Sequence, residues 1–365
     1  MRRALLILCA CLLLVGFAWP DAADMLGKRL VAPGGVSPIL PTTRIEASIA
    51  RLPHRQGWVT THDGVTLFWR SFDPGAYRLD YAYRPDGTQA GRMQFDLDTS
   101  TPVAYPGTPR GTVVLLHGWM MDGGSLLPWS LQLAQAGYRT ITLDLRNHGR
   151  SGAAPSGYGL REARDVADAV AALRARGEVI GPLHLMGVSY GAATAIFSAR
   201  ELGAQVDNVI AIESFDNAGG AIRDMVPHML SKPPESMAQQ LSNRLLRMQM
   251  DDGAVDRAIA SASDTLQLRL DRVDVGAALA QVPSCVLLLH GREDQHVPVA
   301  HGRALAAAAP RARYIEVAGE DHISLPMRLD RLAPTVIDWL DNADPARKFC
   351  PPPLALAQPQ RVRHA

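Results

Sequence analysis

The sequence predicts an α/β protein with a mostly parallel central sheet, flanked by helices and carrying a helical insertion. From residue 112 onward, short apolar runs alternate with helical stretches, a pattern typical of βα units around a sheet buried on both faces. Residues 216–272 break this alternation with Met-rich and Gln-rich helical segments, such as 237–250, and offer no strand candidate. The composition, 47% hydrophobic and 20% charged over 365 residues, is compatible with one large globular domain.

The chain begins with the pattern of an export signal. The first three residues, Met-Arg-Arg, are followed by an unbroken apolar run at 4–19, so residues 1–19 predict a signal peptide or a membrane anchor. Small residues favour cleavage after Ala18, whereas acylation of Cys11 would need a longer preceding apolar stretch. We expect an exported protein that is periplasmic or anchored facing the periplasm, with secretion as the alternative. If this segment is retained as an anchor, it would associate the protein with a membrane; the sequence leaves cleavage and anchoring open.

Ahead of the alternating region, residues 20–56 are rich in Pro, Gly and Ala and predict a linker or an arm on the domain surface. The domain is predicted at residues 57–342 and opens with a hairpin that turns at His62-Asp63-Gly64. A second hairpin, with a weaker signal, joins residues 77–83 to 91–97. The alternating region predicts strands at 112–116, 138–143, 183–186, 208–212, 285–289 and 313–317, and helices at 126–136, 161–176, 192–202, 299–309 and 326–340.

Two cysteines remain beyond the N-terminal segment, Cys285 and Cys350, and they permit one disulfide in an oxidising compartment. Cys285 lies in a predicted buried strand, where a cysteine usually behaves as a small hydrophobic residue. Cys350 lies in a proline-rich tail, residues 343–365, that predicts disorder. Pairing of the two is therefore not expected.

A sharp strand-to-helix turn is predicted at Gly187-Val188-Ser189-Tyr190-Gly191. Glycines two residues before and two after the serine relieve crowding while the serine takes a strained conformation and points its hydroxyl outward. The pentapeptide alone is also compatible with an ordinary βα loop. Its position between a predicted strand and a predicted helix favours Ser189 as a nucleophile.

A serine nucleophile needs a base and an orienting carboxylate. Asp294 and His322 each follow a predicted strand, at the sheet edge where sites of open α/β sheets form. Asp294 could instead cap a helix, with Glu293 as the acid. His296 and His301 are alternative bases, although their position at the start of a helix favours a capping or solvent-facing role.

Acyl transfer also requires hydrogen-bond donors aimed at the developing oxyanion. The strand-ending turn at His117-Gly118-Trp119 and the residue after the nucleophile predict the backbone amides of Trp119 and Tyr190 for this role. The His117 side chain is expected to be a structural hydrogen-bonder. Chemistry of this kind needs no metal and no cofactor, and none is predicted. A net charge of +1, without a basic cluster, argues against a nucleic-acid partner.

Taken together, the motifs resemble the α/β-hydrolase superfamily over residues 58–341. The resemblance is carried by Leu-His-Gly-Trp, Asp-Leu-Arg-Asn-His-Gly-Arg-Ser-Gly, Gly-Val-Ser-Tyr-Gly-Ala, Gly-Arg-Glu-Asp and Asp-His-Ile. It implies Ser189 as nucleophile, Asp294 as acid, His322 as base and oxyanion amides on Trp119 and Tyr190. It also implies that Asp144 and the loop at 147–152 are structural and close the pocket floor. A serine at the turn argues against the epoxide-hydrolase and dehalogenase branches, and leaves the nitrile-lyase and cofactor-free oxygenase branches open.

The expected function is hydrolysis of a small-molecule carboxylic ester, a lipid or thioester included, through an acyl-enzyme. A proline-iminopeptidase-like serine aminopeptidase and an inactive hydrolase-fold binding module are the alternatives. The insertion at 216–272 is expected to be a lid that sets substrate choice. Its methionines would line an acyl pocket or pack among the lid helices: Met225, Met229, Met237, Met248 and Met250. The sequence indicates no oligomeric state.

Overall fold

The computed structural model describes residues 22–32, 42–84, 92–231 and 251–342, together with 350, 352–353 and 355–356. Its strands in chain order are β1 (Arg55–Thr60), β2 (Thr66–Phe72), β3 (Gly75–Arg84), β4 (Arg92–Ala104), β5 (Thr112–Leu116), β6 (Arg139–Leu143), β7 (Leu183–Val188), β8 (Asn208–Ile212), β9 (Cys285–Gly291) and β10 (Arg313–Val317). Its helices are α1 (Ala22–Val31), α2 (Thr42–Ile49), α3 (Leu127–Gln135), α4 (Leu160–Ala175), α5 (Tyr190–Leu202), α6 (Ala218–Ser231), α7 (Ala254–Leu266), α8 (Val275–Leu279), α9 (Val299–Ala308) and α10 (Leu329–Asn342).

Within the described residues, the main sheet has eight strands in the order β1-β2-β6-β5-β7-β8-β9-β10. The first two form the predicted hairpin, whose turn places Gly64 at a φ of 84°, and β2 runs antiparallel to β6. The other neighbouring strands pair in parallel. The predicted α/β class with a mostly parallel sheet is therefore confirmed.

The sheet is buried on both faces, because side chains alternate along its central strands between two apolar cores. In β5, Val114 and Leu116 face a core shared with α4 and α5, whereas Val113 and Leu115 face a core shared with α3 and α10. All four side chains are inaccessible to solvent. This double burial explains why the strands read as continuous apolar runs, and each such side chain contributes about 1.5–3 kcal/mol by leaving water.

The long segment between β2 and β5 forms a separate two-stranded antiparallel sheet of β3 and β4. It confirms the second predicted hairpin, with strands that extend beyond the predicted limits. The turn predicted between them lies outside the described residues.

The break in the alternating pattern at residues 216–272 corresponds to α6, α7 and the 3₁₀ turn Leu270–Arg272. In its described parts the segment is helical, as predicted. The predicted helical stretch at 237–250 lies outside the described residues.

Two helices, α1 and α2, replace the irregular arm predicted at residues 20–56. Helix α1 packs on α7 and buries Ala23 and Leu30, while α2 buries Ile45 and Ile49 in a third apolar cluster beside α3. These helices are short, and tertiary packing rather than a strong local pattern stabilises them.

A disulfide joins Cys285 in β9 to Cys350, against the expectation that the two would not pair. Both cysteines are buried, and the Arg313 guanidinium donates to the carbonyl of Cys350. At Cys350 the C-terminal segment is therefore fixed to the domain, which corrects the prediction of disorder there. Residues 343–349 and 357–365 of the predicted tail lie outside the described residues.

Among the described helices, none combines the length and apolar character that crossing a membrane requires. The predicted signal peptide or anchor at residues 1–19 lies outside the described residues.

Candidate active site

Ser189 occupies the sharp turn between β7 and α5, with a φ of 53° and a ψ of −114°. This strained conformation is possible because the two flanking glycines let backbone segments approach closely. A Cβ added at Gly187 would lie 2.0 Å from the Gly191 carbonyl oxygen, and one added at Gly191 would lie 2.1 Å from that of Leu116. The Ser189 amide donates to the carbonyl of Ile212, which fixes the turn to the neighbouring strand. The predicted turn is thus present.

His322 and Asp294 lie beside this serine, on the loops that follow β10 and β9. Ser189 Oγ and His322 Nε2 are 2.9 Å apart, and His322 Nδ1 and Asp294 Oδ2 are 2.7 Å apart. A carboxylate only accepts hydrogen bonds, so Nδ1 carries the proton and Nε2 is free to accept from the serine hydroxyl. The structure therefore brings together the three residues that the sequence singles out.

Asp294 is held in place by backbone donors as well as by the histidine. Its Oδ1 accepts from the amides of His296 and Val297 at 2.8 and 2.9 Å, which leaves Oδ2 for His322. Burial favours the neutral acid and would raise the pKa of Asp294. The electrostatic attraction of the facing His322 and the hydrogen bonds from His290 and His322 outweigh this effect. Together they hold the pKa of Asp294 well below its usual value. The rival acid Glu293 is exposed and accepts from the amide of Gly319 instead.

Two buried residues behind Asp294, Glu213 and His290, were not expected from the sequence. His290 Nε2 lies 3.2 Å from Glu213 Oε2 and 3.4 Å from Asp294 Oδ2. Burial, followed by repulsion from the Asp294 carboxylate, raises the pKa of Glu213 well above its usual value, so the negative charge stays on Asp294. The available signal was position, because Glu213 directly follows β8 and His290 is near the end of β9.

The backbone predicted to bind the oxyanion lies next to the serine. Tyr190 is the first residue of α5, and the first amides of a helix have no partner inside it. On the other side, a Cβ added at Gly118 would lie 3.7 Å from Ser189 Cβ, so the turn that carries Trp119 lies next to the serine side chain. The Trp119 ring packs against those of Tyr190 and Tyr158, which fixes this turn on the domain.

His117 has the expected structural role. Its Nδ1 donates to the carbonyl of Gly118 at 2.8 Å, and its Nε2 accepts from the amide of Leu145 at 3.0 Å. Complete burial lowers the pKa of His117 to about 3, so the ring is neutral and both nitrogens are engaged.

Asp144 joins the loop after β5 to the loop after β6. Its Oδ1 accepts from the amide of Gly123 at 2.7 Å, and its Oδ2 accepts from that of Arg150 at 2.8 Å. A Cβ added at Gly149 would lie 2.2 Å from Asp144 Oδ2, which explains the glycine in this loop. Burial raises the pKa of Asp144 to about 6.

An apolar cavity of about 190 Å³ opens beside Ser189 and His322. Helix α6 contributes Met225 and Met229 to its wall, while Met237, Met248 and Met250 lie outside the described residues. The other apolar side chains that line it are Trp119, Met120, Met121, Leu126, Pro128, Trp129, Val188, Ile323, Pro326, Met327 and Leu329.

The two alternative bases occupy different surroundings. His296 lines the cavity and stacks on His322, with ring centroids 5.2 Å apart. His301 is buried rather than solvent-facing, and its ring nitrogens meet Asp216 and Asp224.

Two side-chain groups within the described residues have a spacing compatible with a bound cation. They are Glu213 with His290 and Asp294, and His62 with Asp63 and Asp165. In the second group Arg146 already pairs with both aspartates, and in the first Asp294 accepts from His322. Protein donors therefore already engage three of these carboxylates, those of Asp63, Asp165 and Asp294.

The chain belongs to the alpha/beta hydrolase family, whose model matches residues 113–335. By this membership it is a hydrolase, and the resemblance noted in the sequence is confirmed at the level of the family.

Known proteins with detectable similarity agree with this assignment. The chain is 27% identical over 244 residues to the uncharacterized protein YqkD of Bacillus subtilis, a match that covers 66% of this chain and 74% of that protein. Its fold is similar to an esterase of Pyrococcus furiosus, with a TM-score of 0.56, 18% identity, and 85% and 94% of the two chains covered. An esterase from Exiguobacterium antarcticum gives a TM-score of 0.50 at 19% identity, over 78% of this chain and 98% of that one.

Proposed function

We propose that the protein is a serine esterase that cleaves carboxylic esters through an acyl-enzyme formed on Ser189. The observation that carries this proposal is the continuous hydrogen-bonded chain from Ser189 Oγ through His322 to Asp294, beside an apolar cavity. His322 takes the serine proton as the hydroxyl attacks the ester carbonyl, and Asp294 holds the ring in the required tautomer and stabilises the imidazolium.

The remaining steps follow from the same geometry. The amides of Trp119 and Tyr190 stabilise the negative charge on the carbonyl oxygen of the tetrahedral intermediate. His322 then returns its proton to the leaving alcohol. Water enters, loses a proton to His322 and attacks the acyl-enzyme, which releases the acid and restores Ser189.

The cavity supports an ester with an apolar acyl chain as the substrate class. Its lining is dominated by aliphatic, aromatic and methionine side chains, and such a surface gains free energy by burying hydrocarbon. Esters of lipids and thioesters with apolar acyl groups fit the same description. In this proposal α6 acts as the wall of a lid.

Export is part of the proposal. It is supported by the signal-like segment at residues 1–19 and by the Cys285–Cys350 disulfide, since disulfides persist mainly in oxidising compartments.

The serine mechanism is tested with a fluorophosphonate probe, which reacts with activated serine nucleophiles. We expect labelling of the wild type and none of Ser189→Ala, together with a loss of esterase turnover of roughly 10³-fold or more. Ser198→Ala is a matched control, because Ser198 is buried in the middle of α5 away from the turn. Absence of labelling in folded wild type would contradict the serine mechanism and favour a binding module.

The substrate class is tested separately with a panel of substrates. We expect turnover of p-nitrophenyl esters of different chain length and little turnover of aminoacyl-nitroanilides. Preference for the nitroanilides would favour the aminopeptidase instead.

A further inference from the structure

Helix α6 forms one wall of the cavity, and its position determines which side chains contact a substrate there. Met225 and Met229 are four residues apart, so they lie on the same face of the helix, and both line the cavity beside Ser189. His228 of the same helix packs against His296, whose ring stacks on that of His322. Anything that holds α6 on the domain therefore acts on the substrate-binding wall and on the surroundings of the base.

One buried histidine joins α6 to the rest of the domain. His301, in the first turn of α9, is 7% exposed. Its Nδ1 hydrogen-bonds Asp216, in the loop between β8 and α6, and its Nε2 lies 3.0 Å from Asp224 of α6 itself. Asp216 is anchored in turn, since its carbonyl accepts from the amide of Val275 at the start of α8 at 2.7 Å. We call this set of three side chains, His301, Asp216 and Asp224, the histidine clasp.

The clasp defines the protonation state of its histidine. Both ring nitrogens meet carboxylate oxygens, which only accept hydrogen bonds, so both nitrogens must carry protons and the ring is an imidazolium. Burial opposes that charge, but the hydrogen bonds to Asp216 and Asp224 outweigh it, and the pKa of His301 is raised above its usual value. After burial, these two aspartates have the largest effects on it.

We propose that His301 is a positioning residue for substrate selection, which holds α6 against the domain so that Met225 and Met229 form the acyl-binding wall. This inference rests on the proposed esterase function, because it assigns the wall to the acyl chain of the ester. The neutral ring can donate from one nitrogen only, so deprotonation removes one of the two links. A group with a raised pKa contributes its full stabilisation at low pH and loses it as the pH rises through that pKa. The clasp therefore loosens as the pH rises through the pKa of His301, which lies above the usual value for a histidine.

The test compares His301→Gln and Asp224→Asn with wild type on p-nitrophenyl acetate and p-nitrophenyl octanoate. A hydrogen bond between charged groups changes an equilibrium by about tenfold, so we expect the octanoate KM of His301→Gln to rise by about that factor. The acetate KM is expected to stay within about twofold of wild type, because so short a chain does not reach the wall. Arg303→Gln is the matched control, since it breaks an ion pair of the same helix with Glu316 and leaves α6 untouched.

Hydrogen exchange of α6 provides a readout that needs no substrate. Protection factors of its amides, which correct for the intrinsic pH dependence, are expected to fall in wild type as the pH rises through the pKa of His301, and to be low throughout that range in His301→Gln. Asp224 is half-exposed, so Asp224→Asn tests the same link without emptying a buried site.

Equal KM changes for both esters, or unchanged α6 protection in both variants, would overturn the proposal. Fluorophosphonate labelling, measured on every sample, separates the proposed serine mechanism from the proposed role of the histidine clasp. Absence of labelling in wild type would contradict the serine mechanism. The hydrogen-exchange result tests the clasp independently of that mechanism.

Discussion

Asp294 is selected over its neighbour Glu293 by what each side chain can reach. The Asp294 side chain turns inward, where two backbone amides occupy one oxygen and the histidine the other. Glu293 points to the surface and binds the amide of Gly319. A carboxylate that orients a base must be fixed and shielded from water, and only Asp294 meets both conditions.

Replacing Asp294 by Asn is expected to leave the fold intact and to lower kcat by roughly 10³-fold or more. An amide has one accepting oxygen, so either the amides of His296 and Val297 or the His322 Nδ1–H loses its acceptor. The measurement is kcat on p-nitrophenyl acetate, with circular dichroism to check folding. Glu293→Gln is the matched control and is expected to keep near-normal kcat, because its remaining oxygen can still accept from Gly319. A larger loss in Glu293→Gln would reverse the assignment of the acid.

The site is assembled from loops that leave the carboxyl ends of parallel strands, and its precision depends on ties between those loops. Asp144, directly after β6, links the loop after β5 to the loop at 147–152 through its two oxygens. Because the first of these loops also carries Trp119, the tie helps to fix the predicted oxyanion amide. The structural role that the family resemblance implied for Asp144 agrees with these contacts.

Asp144→Asn should therefore weaken both the fold and the site. The backbone amide of either Gly123 or Arg150 would then face the side-chain NH₂ group of the asparagine instead of an oxygen. A buried unsatisfied donor of this kind costs about 1–3 kcal/mol. We expect a lower midpoint of thermal unfolding and a reduced kcat for p-nitrophenyl acetate. Asp168→Asn, which alters a surface pair with His62, serves as control and is expected to change neither. A normal kcat in Asp144→Asn would show that the tie does not support the oxyanion amide.

Strands buried on both faces and the glycines around Ser189 leave strong local patterns, so the sheet, the turn and the positions of Asp294 and His322 could be predicted. Helices α1 and α2 could not, because their few apolar residues acquire meaning only against α7 and α3. The role of Glu213 beside Asp294 was not predicted for a related reason. Its position directly after β8 was a signal, but its contact with Asp294 depends on the pairing of β8 with β9, which no local pattern encodes.

Both ends of the described chain are fastened to the domain. At the N-terminal end α1 packs on α7, within the helical segment that also carries the cavity wall. At the C-terminal end Cys350 is bonded to the first residue of β9, the strand that leads to Asp294. In the sequence, the apolar strand around Cys285 favoured an unpaired buried cysteine, and the proline-rich tail around Cys350 favoured disorder. Only the folded chain brings the two cysteines together.

Breaking this bond by Cys350→Ser is expected to destabilise the protein by about 2–4 kcal/mol. The bond joins residues 65 positions apart, and the loop it closes reduces the conformational entropy of the unfolded chain. For a domain of this size the loss corresponds to a midpoint lower by about 3–6 °C. The measurement is thermal unfolding of oxidised wild type, reduced wild type and the variant.

Reduction should bring wild type down to the midpoint of Cys350→Ser and leave the variant unchanged, which separates loss of the bond from damage caused by serine. The bond lies at the start of β9 and Asp294 beyond its end, so kcat below the unfolding transition is expected to stay near that of wild type. A midpoint that is insensitive to reduction would mean that burial of the tail, rather than the covalent link, fastens this end of the chain.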